Sequence, residues 1–382
     1  MTLTQETSSP VLPEDQPRRT PFDRDQAVEL GGAAIAALVL VWVPFHLTGW
    51  NAPQGLVLSW FVAFAVIYGV VVRQRHGVLE LKDRLATLFV FAGCLLALVP
   101  LFFLLWYVVR QGLPVVAGSF PKFLLHDLRN FGPTSPVSQA GLSEAIVGTL
   151  EQVGLATVAT VPIGVLAATY LNEIGARAQP GTPASLFATA VRTIADAMTG
   201  LPTIIAGLFV YTFWIEPRKS GGYSGLAAAM ALAIVMLPTV VRVSEEVLRI
   251  VSDQLREAAL ALGAPEWRMI LRVVIPTART GLVTASILGV ARAVGETAPV
   301  LLTSFGNARM RLNPFHGAQD DLPYRIFFLV RSPSGANIQV AWGGAFVLTV
   351  IILTLFVLAR ILGTGGTSGR RLRLPSILSR RS

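Results

Sequence analysis

The sequence predicts an all-α polytopic membrane protein, and three observations carry that reading. Of its 382 residues, 53% are hydrophobic and only 14% are charged, against roughly 25% charged in ordinary soluble domains. The mean hydropathy is +0.61, which implies more apolar surface than one soluble core can enclose. Apolar segments recur at 33–47, 56–72, 85–109, 146–171, 201–215, 226–241, 282–303 and 342–362. Each approaches the ~20 residues that a helix needs to cross a bilayer.

The elements follow in order. Residues 1–29 are polar and carry Pro10, Pro13 and Pro17, which reads as a disordered tail and not as a cleavable leader. The first two spans form a hairpin at 30–72, followed by a charged linker at 73–84. Six further spans make the main domain at 85–363, and a basic tail at 364–382 holds Arg370, Arg371, Arg373, Arg380 and Arg381. The 226–241 core is about 24 Å long as a helix, so it is expected to run on past Arg242. Eight spans put both termini on one side. With the N-terminus inside, 21 of the 31 Lys and Arg lie in cytoplasmic segments, 9 in external ones, and Arg292 within a span. That bias places both termini in the cytoplasm. The net charge of +9 is then an orientation signal, with no call for a nucleic-acid partner.

Several function classes find no support. Cys94 stands alone in an apolar run and has no disulfide partner. His46, His76, His126 and His316 are too scattered to suggest a metal site. No GxxxxGK[ST] phosphate loop occurs, so ATP binding by that route is not expected. No GxSxG elbow or other catalytic constellation appears.

The segment 242–279 is the least membrane-like stretch of the second half. Leu255, Ala258, Ala259 and Leu262 fall at helical spacing on one face. Gly263 is placed to end that helix in the left-handed conformation, Pro265 suits the first turn of another, and Pro276 is expected to break the chain before the next span. The small, alanine-rich helix suits docking into a groove on another protein; an amphipathic helix on the membrane surface fits the patterning equally.

Charges within apolar segments are costly and default to functional candidates. Arg292 lies about 20 Å of helix beyond Arg279, and Glu296 follows one turn later on the same face. Arg242, Glu245 and Glu246 form a comparable group, and Glu151 stands near the start of its span. Mutual neutralisation of Arg292 and Glu296 is the plainer reading. A polar route for an anion explains two such groups better, because guanidinium pairs bidentately with phosphate and stays charged.

The order Glu257-Ala258-Ala259, then Gly263 and a downstream Ile275-Pro276, resembles the EAA loop of ABC importer permeases. The run 291–299, with Arg292, Gly295, Glu296, Thr297, Ala298 and Pro299, is similar to the signature of PstA-type phosphate permeases. Segments 166–173, 200–209 and 237–246 match the same family, and the likeness covers about residues 85–362. The sister PstC type tends to carry Met-Ala after Gly-Glu-Thr, and sulfate and molybdate permeases usually lack that run. The resemblance implies a type I ABC importer permease fold with six core transmembrane helices, to which the N-terminal two-helix hairpin is an addition. It implies a substrate path past Arg242, Glu245, Arg292, Glu296 and Thr297, and an ATPase-coupling helix at Arg256, Glu257, Ala258, Ala259 and Gly263. It also implies three partners: a PstC-like permease, a PstB-like ATPase dimer that uses ATP and Mg, and a PstS-like phosphate-binding protein. No cofactor or metal is then expected on this chain. Another oxyanion, the PstC role, or a phosphate-status signalling scaffold are the alternatives.

Overall fold

The computed structural model of the protein describes residues 24–48, 53–132 and 134–364. Of the expected tails, residues 1–23 and 365–382 lie outside these, while residues 24–29 already belong to the first helix. The chain divides into two compact units, before and after Leu104–Leu105.

The first unit is built from α1 (Arg24–Thr48) and the first part of α2 (Pro53–Gly118). Ala33 and Ala37 pack against Phe64, Tyr68 and Val72. The small alanines let the two helices approach closely, as favours packing in lipid. The buried carboxylate of Glu29 receives hydrogen bonds from Arg84 at 2.9 Å and Arg75 at 3.3 Å. The 73–84 linker is therefore helical and not a coil. Of its charges, Arg75 and Arg84 pair with Glu29, and Glu80 pairs with Arg84 one turn away at 3.1 Å. The helix is interrupted only at Gly77, whose φ is 87°.

The second unit continues from the end of α2 into α3 (Lys122–Leu125) and α4 (Ser143–Thr169), which runs on through a π-helical turn at Tyr170–Gly175. Then come α5 (Pro183–Gly200), α6 (Thr203–Val210), α7 (Gly225–Arg249), α8 (Asp253–Ala261) and α9 (Glu266–Met269). The last four are α10 (Ile275–Val294), α11 (Ala298–Thr303), α12 (Leu322–Val330) and α13 (Gly335–Thr364). Isolated β-bridges, not strands, are all the β-structure among the described residues.

Among the described residues, six helices are long and apolar enough to cross a membrane, or seven if α5 and α6 form one broken span. The apolar stretch Gln54–Gly118 alone holds two of the eight expected segments, on either side of Gly77.

Two expected spans are broken. Residues 201–215 do not form a straight crossing, because α5 and α6 meet at 108°. Pro202 explains the bend: its ring disfavours helical backbone at Leu201, which is extended at φ −76°, ψ 132°. The 282–303 segment stops at Val294 and restarts at Ala298. Pro276, by contrast, does not break its helix. It sits in the first turn of α10, and the π-helical turn Ile270–Val274 joins α9 to it.

Helix α7 is the centre of this unit. Its Ala228, Leu232, Met236 and Val240 pack with Val153 and Ala156 of α4, Ala293 and Val294 of α10, and Val300 of α11. Gly289 sets the α7–α10 distance, since a Cβ there would lie 2.6 Å from a Val240 methyl. As anticipated from its short apolar core, α7 continues past Arg242, to Arg249.

Candidate anion path and coupling surface

The inner part of α7 carries the first charge cluster. Glu245 is buried and serves as its hub: it accepts from Arg192 of α5 at 2.8 Å and from Arg249 at 3.3 Å, with Arg242 at 3.7 Å. Arg242 also pairs with Asp196 of α5. These contacts tie α5, the first limb of the broken α5–α6 pair, to α7 by charge as well as by packing. Glu246 points outward, with 71% of its side chain exposed.

Arg292 is placed differently. It lies in the last turn of α10 and leaves 41% of its side chain accessible. Its contacts are long: 3.4 Å to the Thr239 hydroxyl on α7 and 3.8 Å to Glu296. Thr239 stands one turn before Arg242 on the same face of α7, so the α7–α10 seam brings Arg292 to the side of α7 that bears Arg242. Glu296 lies in the break between α10 and α11, and Thr297 is the N-cap position of α11, its carbonyl accepting from Leu301 N–H at 2.9 Å. The arginines are thus distinct: Arg242 is caged by two carboxylates, whereas Arg292 is loosely held and open.

An apolar cavity of about 410 Å³ between α4, α10 and α13 offers no such chemistry. Its polar lining is limited to Thr149, Thr157 and Ser286, and it has no charge to receive an anion. Among the described residues no cluster of His, Cys, Asp and Glu has the geometry to hold a metal ion.

On α8 the structure divides the predicted coupling residues. Glu257 and Ala258 are exposed and Ala259 is half-buried. Leu255, Leu262 and Trp267 add an exposed apolar surface, Leu262 being 89% accessible. Gly263 adopts φ 79° and ends the helix as expected. Arg256 does not belong to that surface. It turns inward, where its Nε and Nη2 donate to the Glu173 carboxylate at 3.1 and 2.8 Å. Its remaining N–H groups reach the Val251 and Leu248 carbonyls and Asp253. Hydrogen bonding to Glu173 raises the Arg256 pKa above its ordinary value. The chain after α4 turns at Glu173, so this pair fastens α8 to the foot of α4. Sequence reasoning missed Glu173 as its partner; an acidic residue at the end of an apolar run was the available signal.

Glu151 accepts a hydrogen bond from Gln319, which lies in the long segment between α11 and α12. That segment also carries Asp320, paired with Arg325, and Asp321, which caps α12 by accepting from Tyr324 N–H at 2.7 Å. The Glu151–Gln319 contact was not legible beforehand, because it joins residues 168 positions apart. The Asp320–Arg325 and Asp321–Tyr324 contacts are local, and an Asp three residues before Tyr324 was an available cap signal.

Broken apolar helices closed around α7, with charges along a seam and a short exposed helix on a buried ion pair, define a multi-pass membrane permease. Residues 160–365 match the family described as "Binding-protein-dependent transport system inner membrane component". The fold is similar to that of a chain of a bacterial alginate ABC transporter crystallised with an alginate pentasaccharide-bound periplasmic protein. That likeness has a TM-score of 0.50 at 16% identity and covers 75% of this chain and 98% of that one. "Phosphate transport system permease protein PstA 1" of Mycobacterium tuberculosis is 38% identical over 295 residues, 77% of this chain and 92% of that protein. PstA of Mycobacterium leprae is 36% identical over 313 residues, covering 81% and 97%. The chain belongs to the PstA family of ABC importer permeases.

Proposed function

We propose that the chain is one of two membrane subunits of an ATP-driven importer and that it passes inorganic phosphate into the cell. The observation that carries this reading is the open Arg292 guanidinium on the α7–α10 seam, beside a helix break. A loosely held guanidinium matches a tetrahedral oxyanion in shape and charge. Glu296 at 3.8 Å supplies the opposing charge that keeps such an anion from binding too tightly to leave. Arg242 joins the route when motion of α5 against α7 loosens its contact with Asp196.

The partners in this reading are a PstC-like permease facing Arg292, a PstB-like ATPase pair that hydrolyses ATP with Mg, and an external PstS-like phosphate-binding protein. Both termini face the cytoplasm, which puts α8 on the ATPase side. The exposed Leu255, Ala258 and Leu262 surface of α8 docks there, with Glu257 at its edge. ATP-driven closure pushes on α8, and the Arg256–Glu173 pair passes that displacement to α4. The chain itself performs no hydrolysis.

Radiolabelled phosphate uptake in cells lacking only this chain tests the proposal, with sulfate and molybdate measured alongside. A loss confined to phosphate supports it. Unchanged phosphate uptake, with other high-affinity routes removed, contradicts it.

A further inference from the structure

The segment between α11 and α12 buries more carboxyl groups against α4 than it pairs. Glu144, in the first turn of α4, is 2% exposed, and neither of its oxygens makes a well-formed hydrogen bond, the nearest donors being the backbone N–H groups of Glu144 itself and of Leu128. Asp320 interacts with it electrostatically; its Oδ2 receives Arg325, while its Oδ1 is buried without a partner. Gln152, wholly buried two turns further along α4, donates to the Asp320 carbonyl at 3.1 Å and to Gln319 at 3.3 Å. Its own side-chain oxygen is left without a donor. The segment sits directly on the helix: the Asp320 carbonyl oxygen would be 1.9 Å from a Cβ at Gly148.

The charged and titratable groups at this junction can be taken element by element. From α4 come Glu144 and, beyond it, Glu151, which is satisfied by Gln319. From the segment come Arg309, Arg311, His316, Asp320 and Asp321. From the connection after α3 comes Asp127, which accepts from the Met310 N–H at 3.2 Å, and from α12 come Arg325 and the Tyr324 phenol, which donates to the Phe305 carbonyl at 3.3 Å. Three buried carboxyls thus face one guanidinium, and that guanidinium is committed to Asp320. Asp321 keeps its place by capping α12. Glu144 has the favourable dipole of the α4 N-terminus and the nearby Glu144 and Leu128 backbone N–H groups but no side-chain donor, and a buried carboxylate so poorly donated is the costly form.

We propose that Glu144 is a proton-binding site whose carboxyl takes up a proton when residues 305–321 seat on α4 and releases it when they lift. Neither the cargo nor the membrane orientation proposed above enters this inference. Burial acts in the same sense on the neighbouring segment, pushing Asp320 up to about 6 and Asp321 up to about 8. The sign follows from linkage. The seated state holds protons that the lifted state, with ordinary carboxyls, gives up. Seating is therefore strongest at acidic pH and weakens as pH rises above about 4.3, by about tenfold in the opening constant per pH unit for each proton released.

Hydrogen exchange of amides 305–321 tests this on the full chain, in nanodiscs with its partner subunits, from about pH 5.5 to 8.5 and corrected for intrinsic exchange. The opening constant is expected to rise at least about tenfold per pH unit in the lower part of this range. Glu144→Gln should reduce that slope by one proton and keep the segment protected at alkaline pH, whereas Glu151→Gln should leave the slope as it is. A pH-independent opening in the wild type, or an unchanged slope in Glu144→Gln, overturns the proposal. Should Glu144→Gln fail to assemble, infrared titration of Asp321→Asn decides: a protonated-carboxyl band at neutral pH that disappears on alkalinisation supports the site, and its absence removes it.

Discussion

Arg256 of α8 and Glu173 at the foot of α4, 83 residues apart, form a two-pronged ion pair from which solvent is almost wholly excluded. The pair makes a short, otherwise exposed helix a mechanical extension of a long one. Leu248, Val251, Met269 and Val274 pack into the same corner and keep it dry. The small helix could not hold this position by its own propensity, since isolated helices of nine residues are marginal in water.

Removing one partner should therefore be severe. Arg256→Met leaves the buried Glu173 with only Arg177 at 3.5 Å, and Glu173→Gln leaves the buried Arg256 with Asp253 at 3.1 Å, so the cost should approach the lower end of the roughly 3–5 kcal/mol of a broken buried pair. Thermal unfolding of the detergent-solubilised complex should show the loss, together with faster hydrogen exchange across residues 253–264. The pair Glu173→Leu with Arg256→Met should recover part of the stability but not the bond geometry.

Gly263→Ala should act on backbone alone. No atom lies within 4 Å of a Cβ at that position, but φ is +79°, a conformation that costs an L-residue roughly 1–2 kcal/mol. The turn after α8 should open without disturbing the bundle. Weaker retention of the ATPase on purification, at an unchanged midpoint for the remainder of the protein, is the expected result.

Asp321→Asn separates a cap from a charge. Burial pushes the Asp321 carboxyl up to about 8, so the folded segment holds a proton that an unfolded one releases above about 3.9. Its contribution to stability is complete below that value and declines as pH rises, levelling off near pH 8. Asparagine caps helices as well as aspartate does and does not titrate. The variant should match the wild type at acidic pH and exceed it at pH 8 in thermal unfolding.

Glu245→Gln and Glu246→Gln should differ sharply although the residues are adjacent. Glu245 is 3% exposed at its side chain and faces Arg192, Arg242 and Arg249, whereas Glu246 is open to solvent. Loss of the first charge should destabilise the α5–α7 junction by more than about 1 kcal/mol, and loss of the second should stay within about 0.5 kcal/mol. Parallel unfolding curves of the two variants decide this.

Much of this was legible in the sequence, and the reason differs by element. Long apolar runs announce their helices because lipid leaves the backbone no alternative. Gly263 and Arg292 could be singled out because a turn and an intramembrane charge each constrain residue type locally. Pro202 and Pro276 show the limit of local signals: one bends its helix by blocking Leu201, while the other sits harmlessly in a first turn. Partners were beyond reach. Nothing near Arg256 in sequence points to Glu173, and nothing near Glu245 points to Arg192, so Arg256 reads as a docking residue until the fold turns it inward.

The most direct test of the central claim is phosphate uptake by Arg292→Gln in a complex whose assembly and ATPase content match the wild type. Since Arg292 makes only a 3.4 Å contact to Thr239 and a 3.8 Å contact to Glu296, assembly should survive the change. Uptake should fall to background, with Arg292→Lys retaining part of it, because an ammonium keeps the charge and loses the bidentate fork. Uptake at the wild-type rate in Arg292→Gln would contradict the anion path.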